Sequence, residues 1–370
     1  MKEREEQHER CEPFPLGYIL AVALFLRITA ILITLQASGV GLDDYLQIHD
    51  GRDYIAFAQA LDEGSLDGSR QWVRVRFPGF PIMVYLLGLV LGKSWGIAGL
   101  FCNLAGAVLA VCLFDKIFKN RWATLYFSIF TPSWFLFSSI NGTEGFFLFV
   151  NLLGLYLAWD REKPIPGYLV LGLSALVRPF AVFVILALLV SRPKGKNLPR
   201  TILHALFAGA PMLLWLVFCR LYYGSFLHNV SQYADIWEHR VLDWPFFALV
   251  RHSLKNPRVL KLGLVWGTVA FSLMAMVSAL KRWIADRSSQ FWQTLAWWQV
   301  FSCIFYFSLA SSNPFTSIDR YILTALPAQV FSLYHLIPKK KWPFFILAFL
   351  TLLVFMYWNR NHFAQLASRA

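Results

Sequence analysis

The chain has 370 residues, of which 57% are hydrophobic and only 15% are charged, and its mean hydropathy is +0.51. Soluble proteins carry about a quarter charged residues, so this composition excludes an ordinary soluble domain and indicates a membrane protein. The formal net charge of +13 does not indicate nucleic-acid binding, because Lys and Arg gather in short connectors between apolar segments. That distribution is typical of the cytoplasmic side of a membrane protein.

Apolar segments long enough to cross a bilayer recur along the chain and predict an all-α polytopic membrane protein. We expect about nine to eleven transmembrane or re-entrant helices, since about 20 apolar residues span the hydrocarbon core. One segment within 77–160 is expected to be re-entrant or half-length, because counting every segment as a crossing would place basic connectors outside. The predicted helices cover 15–37, 77–92, 95–118, 122–139, 143–159, 167–190, 202–223, 259–280, 292–311, 321–337 and 342–358.

The whole chain is predicted to form a single membrane domain over 1–370, with the polar N-terminal tail 1–14 in the cytoplasm. Two long segments, 38–76 and 224–258, interrupt the predicted spans, and loops of this length usually carry function. With the N-terminus inside, both loops fall on the non-cytoplasmic side. Spaced apolar positions in the first loop predict an amphipathic helix over Arg52–Leu66 at the membrane interface.

The first loop contains a cluster of carboxylates, Asp43, Asp44, Asp50 and Asp53, followed by Tyr54. Carboxylates beside a bilayer are costly unless they are solvated or paired, so the cluster is a candidate functional site. An ionised Asp at a wet interface can accept the proton of a reacting hydroxyl. The alternative is that Asp50 and Asp53 solvate the loop or cap a helix.

Three arginines lie beside or within apolar segments: Arg76 before a proline-started helix, Arg178 in the middle of the segment 167–190 and directly before Pro179, and Arg320 directly before Tyr321. A guanidinium suits a phosphodiester, because it offers bidentate hydrogen bonds. The alternatives are an interfacial anchor for Arg76, a structural role for Arg178 and a weak surface ion pair for Arg320.

Glu144 opens an apolar segment after Asn141, Gly142 and Thr143. This second acid could position an acceptor, bind a divalent cation or orient the base, or it could simply stabilise its own helix through the helix dipole. His239 with Glu238 is too little for a metal site, so the sequence predicts no metal ligands and no certain cofactor. A divalent cation stays open as a cofactor.

In their order along the chain these elements resemble the motifs of the GT-C superfamily of integral membrane glycosyltransferases. The Asp-Gly-x-x-Tyr wording of residues 50–54 is especially similar to the GPI mannosyltransferase II type, and protein O-mannosyltransferases and aminoarabinose transferases are related groups. The resemblance implies a GT-C-like fold. It implies that Asp50 is the catalytic base, that Glu144 assists, and that the substrate is bound by Asp53, Tyr54, Arg76, Arg178, Arg320 and Tyr321.

The resemblance also implies a reaction. The protein would transfer a sugar, with a mannose-like hexose as the guess, from a polyprenyl-phosphate carrier to a hydroxyl of a glycan, lipid or protein acceptor, with inversion. The site would lie on the non-cytoplasmic face of a bacterial inner membrane or the endoplasmic reticulum. The alternatives are a lipid or sugar transporter or flippase, which the lack of a visible internal repeat disfavours, and a polysaccharide polymerase or ligase.

Overall fold

The computed structural model of the chain describes residues 14–66, 71–129, 131–159, 164–191, 198–236, 244–255, 259–308 and 320–367. In these ranges all regular secondary structure is helical. The first helices are α1 Leu16–Ser38, α2 Leu42–Leu46, α3 Gly51–Asp62, α4 Gln71–Val75, α5 Gly79–Val90, α6 Trp95–Phe118, α7 Arg121–Phe127, α8 Pro132–Ser139 and α9 Glu144–Trp159.

The later helices continue this all-helical chain. They are α10 Pro164–Val177, α11 Ala181–Val190, α12 Leu198–Tyr223, α13 His228–Ile236, α14 Phe247–Lys255, α15 Val259–Ala285, α16 Gln290–Phe307, α17 Leu326–Ser332 and α18 Lys341–Ala367. Short 3₁₀ turns, Leu323–Ala325 and Tyr334–Leu336, flank α17.

Within the described ranges, four helices are long and apolar enough to cross a bilayer: α1, α6, α12 and the Val265–Ala285 part of α15. The bent pair α8 and α9 provides a fifth crossing if the two helices count as one span. Shorter apolar helices are α5, α10, α11 and the Lys341–Phe355 part of α18. The chain is therefore an integral, multi-pass membrane protein, and nine to eleven crossing or re-entrant helices stays a prediction.

Several apolar segments that the sequence predicts as single helices are broken. The predicted helix 122–139 is wrong, because it divides into α7 and α8, and the Thr131 hydroxyl caps the start of α8. The predicted helix 167–190 divides into α10 and α11 around Pro179, since proline has no N–H to continue a helix. The predicted helix 321–337 divides into α17 and the 3₁₀ turns.

The chain bends by 103° between α8 and α9, and the buried Asn103 of α6 holds this corner. Its amide nitrogen donates to the carbonyls of Phe137, at 2.7 Å, and Ile140, at 2.8 Å. Its amide oxygen accepts from the N–H of Gly145 at 2.7 Å. Helix ends leave such backbone groups without helical partners. Asn103 therefore stabilises the corner that brings Glu144 into the protein.

Replacing Asn103 with Leu is expected to destabilise the protein by about 2–4 kcal/mol, because two carbonyls and an N–H lose their partner in an apolar interior. Thermal unfolding of the detergent-solubilised protein measures the loss. The control is Asn151→Leu, since Asn151 is equally buried in α9 but its amide oxygen makes no hydrogen bond within the described chain. Equal unfolding temperatures for the two variants would contradict the role of Asn103.

The buried Arg27 connects α1 with α8 through hydrogen bonds and aromatic contacts. Its guanidinium donates to the Ser138 hydroxyl at 2.7 Å and to the Ser128 carbonyl at 3.0 Å. It also lies 5.3 Å from the ring centroids of Trp134 and Phe135. A charged group inside a span must be partnered by the protein, and carbonyls, a hydroxyl and aromatic faces do so here.

The two long loops contact each other. The first loop folds into α2, α3 and α4, and the predicted amphipathic helix Arg52–Leu66 is present as α3. Phe57 and Ala58 of α3 are buried whereas Arg52 is exposed, and the helix packs on α5 and α6. Helix α13 of the second loop packs on α4 of the first.

Candidate active site

Asp50 stands directly before α3 and does not cap it. It occupies the N-cap position, yet its side chain makes no capping hydrogen bond. His49 has a left-handed φ of +53°, and a Cβ on Gly51 would clash with the Leu46 carbonyl oxygen. Glycine is the residue that fits this close approach. The helix-capping interpretation of Asp50 is therefore wrong, and its carboxylate is used elsewhere.

Arg76 binds both carboxylates at the start of α3. Its Nη2 lies 2.6 Å from Oδ1 of Asp50 and 2.7 Å from Oδ2 of Asp53. The guanidinium carbon lies 5.4 Å from the ring centroid of Tyr54, a cation–π distance. Asp50, Asp53, Tyr54 and Arg76, all predicted site residues, therefore share one place in the structure.

Glu144 is buried at the first position of α9, directly after the 103° bend. Its Oε1 accepts from Nη2 of Arg178 at 2.5 Å and from Nε of Arg320. Its Oε2 accepts from the Thr143 N–H at 2.9 Å, and the Thr143 hydroxyl accepts from Nε of Arg178 at 2.7 Å. Both carboxylate oxygens of Glu144 are thus engaged with donors of the protein.

Arg320 joins the two carboxylate groups. Its Nη1 lies 2.6 Å from Oδ2 of Asp50, while its Nε donates to Glu144. The guanidinium also lies 4.7 Å from the ring centroid of Phe137 at the end of α8. Arg320 therefore ties the segment before α17 to the first loop and to the bend between α8 and α9.

Together these pairs form one continuous network, here called the charge chain. It runs Asp53, Arg76, Asp50, Arg320, Glu144, Arg178. Carboxylates and guanidiniums alternate along it, so its formal charges cancel. Buried charges are tolerated when they are paired in this way. The chain joins the first loop, the bend before α9, the break before Pro179 and the segment before α17.

Two guanidiniums control the ionisation of Asp50. Burial by itself would raise the pKa of the Asp50 carboxyl, but the attraction of Arg320 and Arg76 outweighs it and holds this pKa well below its usual range. A nearby opposite charge favours the ionised form of an acid. Asp50 is therefore a carboxylate at neutral pH, and a weak base while both arginines remain paired with it.

Other predicted residues lie beside the charge chain or away from it. Tyr321 follows Arg320 and packs its ring against Phe180, with the ring centroids 5.3 Å apart. Asp43 and Asp44 are exposed on α2. No group of three His, Cys, Asp or Glu residues in the described ranges is placed to hold a metal ion.

Sequence reasoning missed residues that organise this site through backbone contacts. Thr143 holds Arg178, Asn103 holds the bend before Glu144, and Asn229 of α13 donates to the carbonyls of the Arg76 segment. A polar Asn inside the apolar segment of α6 is the signal that could have singled out Asn103, since buried polar side chains need partners. No comparable feature of the sequence around Asn229 indicates its contacts.

Fold and site together define an integral, all-helical membrane protein with a buried to half-buried network of carboxylates and arginines that includes residues of its first long loop. No protein-family model matches the sequence, and no curated protein sequence matches it either.

Solved structures do match the fold. The chain is similar to ArnT from Cupriavidus metallidurans bound to undecaprenyl phosphate, with a TM-score of 0.54 and 15% identity over 85% of this chain and 59% of that chain. The apo state of the same protein matches with a TM-score of 0.49 and 15% identity over 83% and 58% of the two chains. The predicted GT-C-like fold is thereby confirmed, and this chain spans about 59% of the length of that ArnT structure.

Proposed function

We propose that the protein is a glycosyltransferase that takes a sugar from a polyprenyl-phosphate carrier and transfers it to an acceptor hydroxyl. The charge chain is the observation that supports this proposal, because the Asp50 carboxylate lies between the guanidiniums of Arg76 and Arg320 in it. The fold likeness to an ArnT structure bound to undecaprenyl phosphate supports a carrier of that chemical class. The GT-C motifs of the sequence support the same reaction.

Arg76 and Arg320 are the proposed phosphate ligands. Both now bind carboxylate oxygens, and a phosphate offers anionic oxygen acceptors of the same kind, two of which one guanidinium can bind together. A donor phosphate would replace Asp50 as their partner. The two guanidiniums would then neutralise the charge that grows on the phosphate as the sugar departs, which is where fixed positive charge lowers a barrier most.

Asp50 is the proposed base. The acceptor oxygen forms a bond to the anomeric carbon from the face opposite the phosphate, and the bond from that carbon to the phosphate oxygen breaks. The bonding electron pair leaves with the polyprenyl phosphate, and the acceptor proton passes to the Asp50 carboxylate. The sugar configuration is inverted. Proton transfer of this kind contributes about 10²–10⁴-fold to a rate.

Glu144 is proposed to position Arg320 and Arg178. Its oxygens accept from both arginines and from the Thr143 N–H, which supports an anchoring role for this acid over acceptor binding or cation binding. Asp53 would hold Arg76 in the same way through its 2.7 Å contact. Tyr54 and Tyr321 are proposed to line the donor site.

The proposed donor sugar is a hexose, with mannose the first to test, and the site is proposed to face the non-cytoplasmic side of the membrane. The decisive assay incubates purified protein in sealed proteoliposomes with radiolabelled polyprenyl-monophosphate hexoses and extracted membrane glycolipids. Transfer gives free polyprenyl phosphate and labelled acceptor in equal amounts. Movement of intact donor between leaflets without cleavage would instead indicate a flippase, and use of a diphosphate donor alone a polymerase or ligase.

The exchange of Asp50 for phosphate predicts a pH dependence. With the arginines occupied by the donor phosphate, the pKa of Asp50 should rise from its depressed value, because the attraction that lowers it weakens. The acid limb of kcat should then lie at higher pH than that of kcat/KM for the donor, which reports the free protein. Profiles from about pH 4 to about pH 8 should therefore show an acid limb for kcat and none for kcat/KM, because the depressed pKa of Asp50 in the free protein lies below this range. Coincident limbs would count against the exchange.

A further inference from the structure

Asn229, at the start of α13 in the second loop, contacts the backbone that carries Arg76. Its amide nitrogen donates to the carbonyl oxygen of Arg74 at 2.8 Å and to that of Arg76 at 3.2 Å. The side chain is 7% exposed, so these bonds are shielded from water. Asn229 therefore bridges the two long loops at Arg76, a member of the charge chain.

The other end of the same amide is fixed by α12. The Asn229 amide oxygen accepts from the indole N–H of Trp215 at 2.8 Å and lies 3.6 Å from the Cys219 thiol. Trp215 and Cys219 belong to a small apolar cluster with Phe57 of α3 and Val73 of α4. The amide is thus oriented by the protein before any ligand binds.

The segment that Asn229 holds has little support of its own. Helix α4 has five residues, Gln71–Val75, and so short a helix is not stable without tertiary contacts. Its last carbonyls are the groups that a helix leaves without partners, and Asn229 binds two carbonyls at this end. Arg76 directly follows this end of α4, and its guanidinium contacts the carboxylates of Asp50 and Asp53.

We propose that Asn229 is a positioning residue for donor binding: it fixes the main chain at Arg76, so that the guanidinium faces the phosphate, and thereby couples the second loop to the donor site. This inference rests on the proposed role of Arg76 as a phosphate ligand. Asn229, Val230 and Ser231 also match a glycosylation sequon, but the buried and fully used amide of Asn229 serves the fold instead.

The test replaces Asn229 with Asp, which keeps the shape and the acceptor for Trp215 but removes both N–H donors. The KM for polyprenyl-phosphate sugar is expected to rise about tenfold, the effect of losing two modest hydrogen bonds, and kcat is expected to fall by a smaller factor, because a displaced Arg76 also stabilises the leaving phosphate less. Asn229→Leu should change KM and kcat in the same proportion. Because leucine carries no charge, this result would exclude a new ion pair between the introduced aspartate and an arginine as the cause.

Ser231→Ala is the matched control. It destroys the same sequon, and Ser231 is an exposed residue whose hydroxyl bonds only the nearby His228 carbonyl among the contacts described. Its donor KM should equal that of the wild type. A rise in KM with Ser231→Ala as large as that with Asn229→Asp, or an unchanged KM with both Asn229 variants, would overturn the proposal.

Hydrogen exchange of the peptide covering 71–76, read by mass spectrometry on the full-length protein, separates this inference from the proposed function. Faster exchange there in Asn229→Asp, and not in Ser231→Ala, supports the positioning contact; unchanged exchange overturns it. A wild-type protein that neither binds nor cleaves polyprenyl-phosphate sugars would refute the proposed function, while the exchange result would still decide whether Asn229 holds the segment.

Discussion

Asp50→Asn is expected to reduce kcat for sugar transfer by about 10²–10⁴-fold, because an amide cannot take the acceptor proton. Donor affinity should stay the same or increase. The Asp50 carboxylate now neutralises Arg76 and Arg320, so its removal leaves both guanidiniums freer to bind phosphate. The measurements are single-turnover transfer in nanodiscs and equilibrium binding of undecaprenyl phosphate to the same preparation.

Asp53→Asn is the matched control for Asp50→Asn. Asp53 also pairs with Arg76 at 2.7 Å, but no contact to Arg320 accompanies it in the charge chain. The same loss of one negative charge beside the same arginine should change kcat by less than about tenfold, since no proton transfer is lost. Equal kcat losses in the two variants, or wild-type transfer by Asp50→Asn, would show that Asp50 is not the catalytic base.

Arg320→Ala is expected to weaken donor binding by about 10–100-fold and to lower kcat as well. A charge-assisted hydrogen bond is worth about 1.5–3 kcal/mol, and this one is expected to strengthen as charge develops on the leaving phosphate. Arg320→Lys should recover part of the binding but not all of it, because an ammonium cannot reproduce the bidentate geometry. Donor titrations of both variants give the affinities.

Arg52→Ala serves as the control for the loss of a positive charge near the site. Arg52 lies on α3, two residues after Asp50, and is exposed. Its removal should leave donor affinity within about twofold of the wild type, since exposed charges interact weakly. An Arg320→Ala variant with unchanged donor affinity would show that the phosphate binds elsewhere.

Short local motifs single out charged residues that the structure brings together in the charge chain. The loop after α1, the arginine before a proline-started helix and the Arg-Tyr pair are local patterns, and the structure brings Asp50, Arg76 and Arg320 within salt-bridge distance. Their catalytic roles stay predictions. The sequence leaves several roles open for Glu144, and its contacts with Arg178 and Arg320 favour anchoring among them.

The helix breaks and the backbone contacts are beyond local patterns. Hydropathy describes a segment such as 122–139 as one continuous apolar run, but a cap and a proline divide it. The Asn103 corner depends on residues more than thirty positions apart, and the Asn229 contacts on residues more than 150 apart. Such pairings depend on the three-dimensional path of the chain, which the periodicity of apolar residues in the sequence does not indicate.

The central claim is that donor phosphate replaces the Asp50 carboxylate between Arg76 and Arg320. A cryo-EM or crystal structure of the protein with undecaprenyl phosphate bound tests it most directly. We expect phosphate oxygens within hydrogen-bond distance of both guanidiniums, and the Asp50 carboxylate no longer in contact with at least one of the two. A phosphate bound at another site, with both Asp50–arginine pairs intact, would contradict it.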